Sequence, residues 1–568
     1  MTAQRQILGR AAILVVAVFL LVPILVGFYE TALPAIGLLP AIGADHLSFE
    51  PIRKLLAIPG IETSVRLSLV TGFAATFLSL LLAISFCAAL HGRIGLGRAG
   101  RWLSPLLAAP HAAMALGIAF LIAPSGWFSR LVAEYLTGAT IPPQLMTVND
   151  PMGLALIGGL LVKEVPFFLL VIAAALNQIA VAQQLAIGRS LGYGRGVVWI
   201  KVIFPQVYAQ IRLPVYAVLA FSLSVVDVAM ILGPSNPPVL SVVATRLFQA
   251  ANIDMLLPAS AAAMLQTLLV VLGIGIWWIG ERLLAAVARA VLRRGGRGVG
   301  SEPLIRLGAG LSLLLLGSGF LALFSLLVWS FTFRWPFTEA LPSVWTGANW
   351  SLTSSGWLTP FLNTVTLGVS ATLLSLALAI LWLEGEDRSG RRVGGITSSL
   401  LYLPLLVPQI GFLYGLQLVF LRLDLDGTWH AVLWGHVLFV FPYVMLALSD
   451  PWRAMDRRYL RAAAALGSSP TRVLLVVKLP ILLRPLMVAA AIGFSVSVAQ
   501  YLPTLFIGAG RVTTLTTEAV ALSSSGDRRV VGVYATLQAM LPMLIYSLAF
   551  ILPRIVYADR RALKGDPA

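Results

Sequence analysis

Acid is scarce in this chain: 23 of 568 residues are Asp or Glu, against 40 Lys or Arg, and charged residues make up only 11%. A water-soluble domain carries roughly a quarter charged residues, so a soluble globular fold is excluded. There is one cysteine, Cys87, which rules out an intrachain disulfide and reads as a small packing residue in an apolar stretch. No Gly-x-x-x-x-Gly-Lys-Ser/Thr occurs; the glycine clusters at 94–100 and 295–300 lack the lysine that would hold a nucleotide's phosphates. His-Glu-x-x-His, paired cysteines and a Ser–His–Asp arrangement are also missing, so the chain is expected to be no enzyme and to bind neither metal nor cofactor itself. Ten-residue alternating segments are lacking too, which excludes a membrane barrel.

What fills the chain instead is apolar residue, 59% of the total with a mean hydropathy of +0.91. A helix needs about 20 apolar residues to cross a bilayer core. Twelve such stretches are expected, near 11–29, 64–90, 102–124, 153–177, 211–233 and 257–280, then 307–331, 360–383, 397–421, 429–449, 485–507 and 530–553. The fold class is therefore an all-α polytopic membrane protein. The first stretch follows Arg5 and Arg10 and is too long for a cleaved signal, so it is expected to stay as an anchor. With the N-terminus inside, 29 of the 40 basic residues fall on the cytoplasmic side, which predicts that both termini are cytoplasmic. The net charge of +17 is thus a topology signal spread over thin loops, with no basic domain to hold nucleic acid.

The stretches form two sets of six. Leu191-Gly192, followed by Val202 and Pro205, recurs 275 residues later as Leu466-Gly467, Val477 and Pro480. The run from Gly72 to Leu80 lines up with Gly368 to Leu376, Pro110-His111 with Pro408-Gln409, and Phe221-Ser222 with Phe494-Ser495. Six spans return the chain to its starting side, so the repeats are parallel, about an axis along the membrane normal. The expected boundaries are 1–285 for the first repeat, 286–305 for a cytoplasmic linker, and 306–568 for the second repeat with a short basic tail. Residues near 281–294 read as a short basic helix leaving the sixth span, and Gly295 to Ser301 as a flexible connection.

Each repeat has its longest cytoplasmic loop between its fourth and fifth spans. Helix-forming sequence precedes Gly192 and Gly467, which would end that helix in a left-handed conformation; a second short helix then runs to the proline. Two helices meeting at a glycine make a compact knob for a partner's groove. The arrangement resembles the EAA loop of ABC-importer membrane subunits, and two such loops in one chain resemble the fused permeases of ferric-iron, thiamine and sulfate/polyamine importers. That resemblance implies a translocation pathway coupled to separate cytoplasmic ATPases, two copies of which would use ATP and Mg. It further implies a periplasmic or surface solute-binding protein as partner and a place in the bacterial inner membrane. The coupling positions it assigns are Ala186, Gly192 and Pro205 in one loop and Arg461, Gly467 and Pro480 in the other. The family's glutamate is absent from both, since Ala186 and Arg461 stand in its place.

Ionisable and polar residues inside spans are costly and mark candidate pathways. These are His111, Glu164 and Asp227 in the first repeat, with Gln409 and Gln500 at the matching places of His111 and Asp227. Lys163 and Glu164 could equally form an interhelical lock, and His111 and Gln409 could satisfy backbone freed by the adjacent prolines. Asp227 and Gln500 are expected to face each other across the two repeats. A secondary transporter of six plus six spans, driven by an ion gradient, is the alternative reading; it leaves the paired loops unexplained.

Overall fold

The computed structural model describes residues 2–91, 103–293, 302–351, 356–390, 400–524 and 526–557. The glycine-rich connection expected at 295–301 lies outside them. Among the described residues, ten helices are long and apolar enough to cross a membrane. An eleventh span is formed if Pro470–Ile481 and Leu483–Val498, which meet at 78°, count as one. Ile410–Arg422, where the ninth span was expected, is a shorter helix of 13 residues. In lipid only helices and closed barrels satisfy every backbone group, and continuous apolar runs without alternation choose the helix.

Two boundaries differ from expectation. The fifth helix ends at Ser224; Val225 and Val226 are non-helical, and a short helix, Asp227–Leu232, follows. The equivalent helix ends at Val498 and gives way to Leu502–Gly508. Both breaks lie within stretches expected to be single spans, at 211–233 and 485–507. Hydropathy cannot show them, because the residues beyond each break remain apolar and are buried in protein. The basic helix expected to leave the sixth span at 281–294 does so without a break, the whole running from Leu256 to Arg293.

The matched sequence motifs pack on one another. Gly72 lies against Leu223, and its counterpart Gly368 against Phe494, so in each half the second and fifth spans meet at the same small residue. Thr76 and Thr372 return their hydroxyls to the carbonyls of Gly72 and Gly368, at 2.8 and 2.6 Å.

The first helix of each half crosses to the other half. Thr2–Ala35 packs on Leu358–Ser389 and Ile410–Arg422, while Glu302–Ser330 packs on Ile61–Leu90 and His111–Ile122. Glycines permit the approach. The Gly415 amide donates to Thr31 Oγ1 at 2.9 Å, and any side chain at Gly415 would strike the Gly27 backbone. Gly117, the repeat mate of Gly415, meets Ala322 and accepts a bond from Ser325 Oγ at 3.1 Å. A two-residue-per-strand hairpin, Leu38–Leu39 with Ala44–Asp45, follows the first helix, and Thr332–Arg334 pairs with Val344–Trp345 after its mate. The N-terminal turns sit beside the Gly385–Ser389 end of the eighth span, and Tyr557 bonds the Pro480 carbonyl, so both described ends of the chain lie on the loop-bearing face.

Candidate coupling loops and membrane polar groups

In the first loop, Val181–Ser190 is helical and Gly192 has φ 78°; in the second, Arg457–Ala465 is helical and Gly467 has φ 77°. The expected left-handed turn is therefore present in both. Bonds from Tyr193 N to Gly188 O (2.9 Å) and Ser468 N to Ala463 O (3.1 Å) close each helix end. Gly188 and its mate Ala463 are the buried residues that admit the second short helix; at Gly188 a Cβ would meet Val198. Ala186 and Arg461 both project outward, exposed. The turn leucines do too: Leu191 is 58% and Leu466 is 86% exposed. Asp456 and Ser469 accept from Arg458 N and Arg472 N and so start the second loop's helices.

Below the turn the chain re-enters the membrane differently in the two halves. Pro205 sits in the first turn of Phe204–Ser224, preceded by a wide helical turn at Trp199–Ile203. Pro480 lies in Leu479–Ile481, preceded by the matching wide turn at Leu474–Lys478, and the helix then bends at Leu482.

Each loop is held against the end of its second span. Arg195 donates to the carbonyls of Ala88 and His91, both at 2.8 Å, and Trp199 packs edge-on to the His91 ring with centroids 6.0 Å apart. In the second half Lys478, 3% exposed, donates to Glu384 at 2.9 Å and to Asp387. Trp452 Nε1 donates to Asp387 at 3.1 Å, and Arg453 pairs with Glu386 at 3.1 Å. These acids and their cations were not singled out from sequence. The available signal was three acids within four residues, Glu384 to Asp387, closing an apolar span of an acid-poor chain.

The membrane polar residues divide between the halves. His111 Nε2 lies 3.4 Å from Glu164 Oε1, and the His111 ring rests on Phe221 at 4.6 Å. Asp227 opens the short helix after the break and lies within electrostatic reach of His111. From the second half, Tyr443 comes within reach of Glu164, and Tyr501 of Asp227. The Tyr501 hydroxyl also touches Met230 Sδ at 3.4 Å across the halves. Glu164 and Asp227 are thus both neighbours of His111, and two tyrosines of the second half that sequence reasoning missed come near them. Gln500 is buried beside Tyr501, its Oε1 without a partner among the described residues. Gln409 precedes Ile410–Arg422, its carbonyl accepting from Leu413 N at 3.1 Å.

Two other buried groups are structural ties. Lys163 does not pair with Glu164; its Nζ donates to the carbonyls of Leu106 (2.9 Å), Leu107 (2.8 Å) and Ala109, the backbone left open before Pro110. His436 is held by Ser497 Oγ at 2.7 Å and Thr504 Oγ1 at 2.9 Å, joining the tenth span to both sides of the second break.

Residues 375–558 match the family model described as the binding-protein-dependent transport system inner membrane component. The inner membrane ABC transporter permease protein YnjC of Escherichia coli (strain K12) is 34% identical over 550 residues, covering 96% of this chain and 98% of that protein. The spermidine/putrescine transport system permease protein PotC of Haemophilus influenzae is 23% identical over 37% of this chain and 85% of its own length. PotC of Escherichia coli (strain K12) is 21% identical over 39% and 85%. A helical chain whose halves repeat the same spans, breaks and loops, and which aligns end to end with one permease, belongs to the binding-protein-dependent ABC transporter permeases, with two permease repeats fused in one polypeptide.

Proposed function

We propose that both halves together enclose one solute pathway and that the two loops couple it to separate ATPase subunits. The observation that carries this reading is the pair of helix–glycine–helix loops on one face, with Gly192 and Gly467 in the same conformation and a bare leucine before each. Exposed apolar knobs of fixed shape suit a partner's groove. Ala186 and Arg461 stand where the family's acid would be, so the contact is made by shape and by Arg457, Arg458 and Arg461 rather than by that carboxylate. Both termini and the loops face the cytoplasm of the inner membrane in this reading, and a solute-binding protein delivers from the other side. ATP and Mg are used on the partner, and ATP-bound contacts favour one arrangement of the halves, which hydrolysis releases. In this reading His111, Glu164 and Asp227 of the first half, with Gln409 and Gln500 of the second, line the path.

The test replaces Gly192 and Gly467 together by valine, in a membrane system holding the cognate ATPase and binding protein. Around Gly467 nothing lies within 4 Å of an added Cβ, so the change acts through backbone strain alone. Insertion should persist while ATPase co-purification and uptake fall at least about tenfold, a loss of about 1.4 kcal/mol at the contact. Undiminished uptake would remove the loops from the coupling route. Uptake by the chain alone, abolished by an uncoupler, would establish an ion-driven transporter.

A further inference from the structure

On the face away from the termini, a cavity of about 780 Å³ opens between the halves. Its wall carries two guanidinium groups that converge on one residue. Arg130 Nε donates to the Ser125 carbonyl at 3.2 Å, and Arg528 donates to the same carbonyl at 2.7 Å and to Ser125 Oγ at 2.9 Å. Arg130 is 6% exposed and also donates to the carbonyls of Trp335 (2.8 Å) and Pro336. Among the described residues no carboxylate lies within ion-pair distance of either. The one acid in the cavity wall, Asp527, is engaged by Arg529 at 3.0 Å. Carbonyl oxygens satisfy N–H groups without cancelling charge, and buried charges are ordinarily paired with opposite charge. Buried Arg130 instead stands within the field of a second, half-buried cation, Arg528.

Aromatic faces fix them in place. Arg130 lies over Trp335 at 5.0 Å and Trp329 at 5.6 Å, and Arg528 over Trp329 at 5.2 Å and Phe120 at 5.9 Å. Both guanidinium groups therefore share Trp329, which orients them while leaving their positive charge unmet. A planar fork of donors held this way matches the oxygens of a carboxylate, phosphate or sulfate group.

We infer that this cavity binds an oxyanion, held between Arg130 and Arg528 at the seam of the two halves. The source is a small anionic solute or the phosphate of a phospholipid headgroup; the chemistry recognised is the same. The inference does not depend on the coupling role of the loops.

The test uses the full chain, purified in a non-ionic detergent and depleted of lipid. Sodium sulfate and inorganic phosphate are titrated by thermal shift against sodium chloride at matched ionic strength, in wild type, Arg528→Gln and Arg130→Gln. A parallel arm titrates phosphatidylglycerol in mixed micelles. Saturable stabilisation by sulfate or phosphate, weakened roughly tenfold or more in Arg528→Gln, supports a free-anion site. Saturation only by phosphatidylglycerol, with the same Arg528 dependence, supports a headgroup site. Arg528→Lys, which keeps the charge but loses the fork, should retain part of the effect. If no probe saturates, or if Arg528→Gln and Arg130→Gln both respond like wild type, the site is refuted. Should Arg130→Gln prove unstable, Arg528→Gln decides alone, because Arg528 is half-buried and, among the described residues, its contacts are Ser125 and the faces of Phe120 and Trp329.

Discussion

The two loops have one shape and two anchorages. The first is fastened to its second span by apolar burial, with Trp199 and Ile203 almost wholly enclosed and Arg195 donating to backbone oxygens. The second is fastened by ions: Lys478 stands where Ile203 does and is met by Glu384 and Asp387, while Glu386 meets Arg453; the three acids stand in place of Ala88, His91 and Leu90 respectively. Lys478 also lies over the Trp452 ring at 4.2 Å. What has been kept between the halves is a backbone path, and the forces that hold it are interchangeable. The difference confers no evident extra strength, because taking charges out of water costs much of what their attraction returns. It does make the second anchorage fail more abruptly when one member is lost.

That contrast can be broken most directly at Lys478. Lys478→Met removes the buried cation that Glu384 and Asp387 share; Glu384 keeps Arg388 at 2.9 Å and Asp387 is exposed to solvent, so the loss should be about 2–3 kcal/mol. It should appear as a lowered melting temperature and faster hydrogen exchange over residues 470–481. Replacing Lys478, Glu384 and Asp387 together by apolar residues of similar size should recover most of that loss, making the second loop resemble the first. A triple variant no better than Lys478→Met would show that the ions specify the position of the loop.

Smaller effects sharpen the same comparison. Gly192→Ala and Gly467→Ala should each cost about 1–2 kcal/mol, and by similar amounts, since both loops demand the same left-handed turn. Ile203→Val, which trims the apolar anchorage by one methylene, should cost about 1 kcal/mol and should not vary with salt. The smallest effect concerns pH and belongs to the first loop alone. Burial, and then the Arg195 guanidinium, hold the His91 imidazole below its usual value of 6.5. The docked loop therefore binds less proton than the undocked one, so docking is fully favoured above 6.5 and weakens as pH falls through the window below it. Exchange over residues 195–203 should rise on acidification, and His91→Gln should remove that rise.

Much of this organisation was legible before any coordinates. Apolar runs located the helices, and the spacing of Leu191-Gly192 and Leu466-Gly467 located two turns whose φ angles agree within a degree. The pairing of Gly72 with Leu223 and of Gly368 with Phe494 explains why those motifs recur together. The breaks after Ser224 and Val498 were hidden because hydropathy measures transfer from water and is blind to whether the receiving medium is lipid or protein. Asp227 was recognised as polar within an apolar stretch, but its neighbour Tyr501 was not, since a tyrosine in a membrane segment is ordinary. The crossing of the first helices was equally invisible, because a composition that suits lipid on all sides does not say which neighbour a helix will choose.

The crossing has a consequence for how the protein is made. Thr31 and the amide of Gly415, which it accepts from, are 384 residues apart in the chain. At a synthesis rate of about 5–20 residues per second, the first helix waits roughly 20–80 seconds for its partner to emerge. For that time the first helix has the sixth span of its own half to pack on, but Gly27 and Thr31 lack Phe412 and Gly415, the residues they meet in the finished fold. A ribosome that stops after the sixth span releases a fragment whose first helix has one neighbour but lacks the two it packs on in the second half, which offers a quality-control system a mark of an unfinished chain.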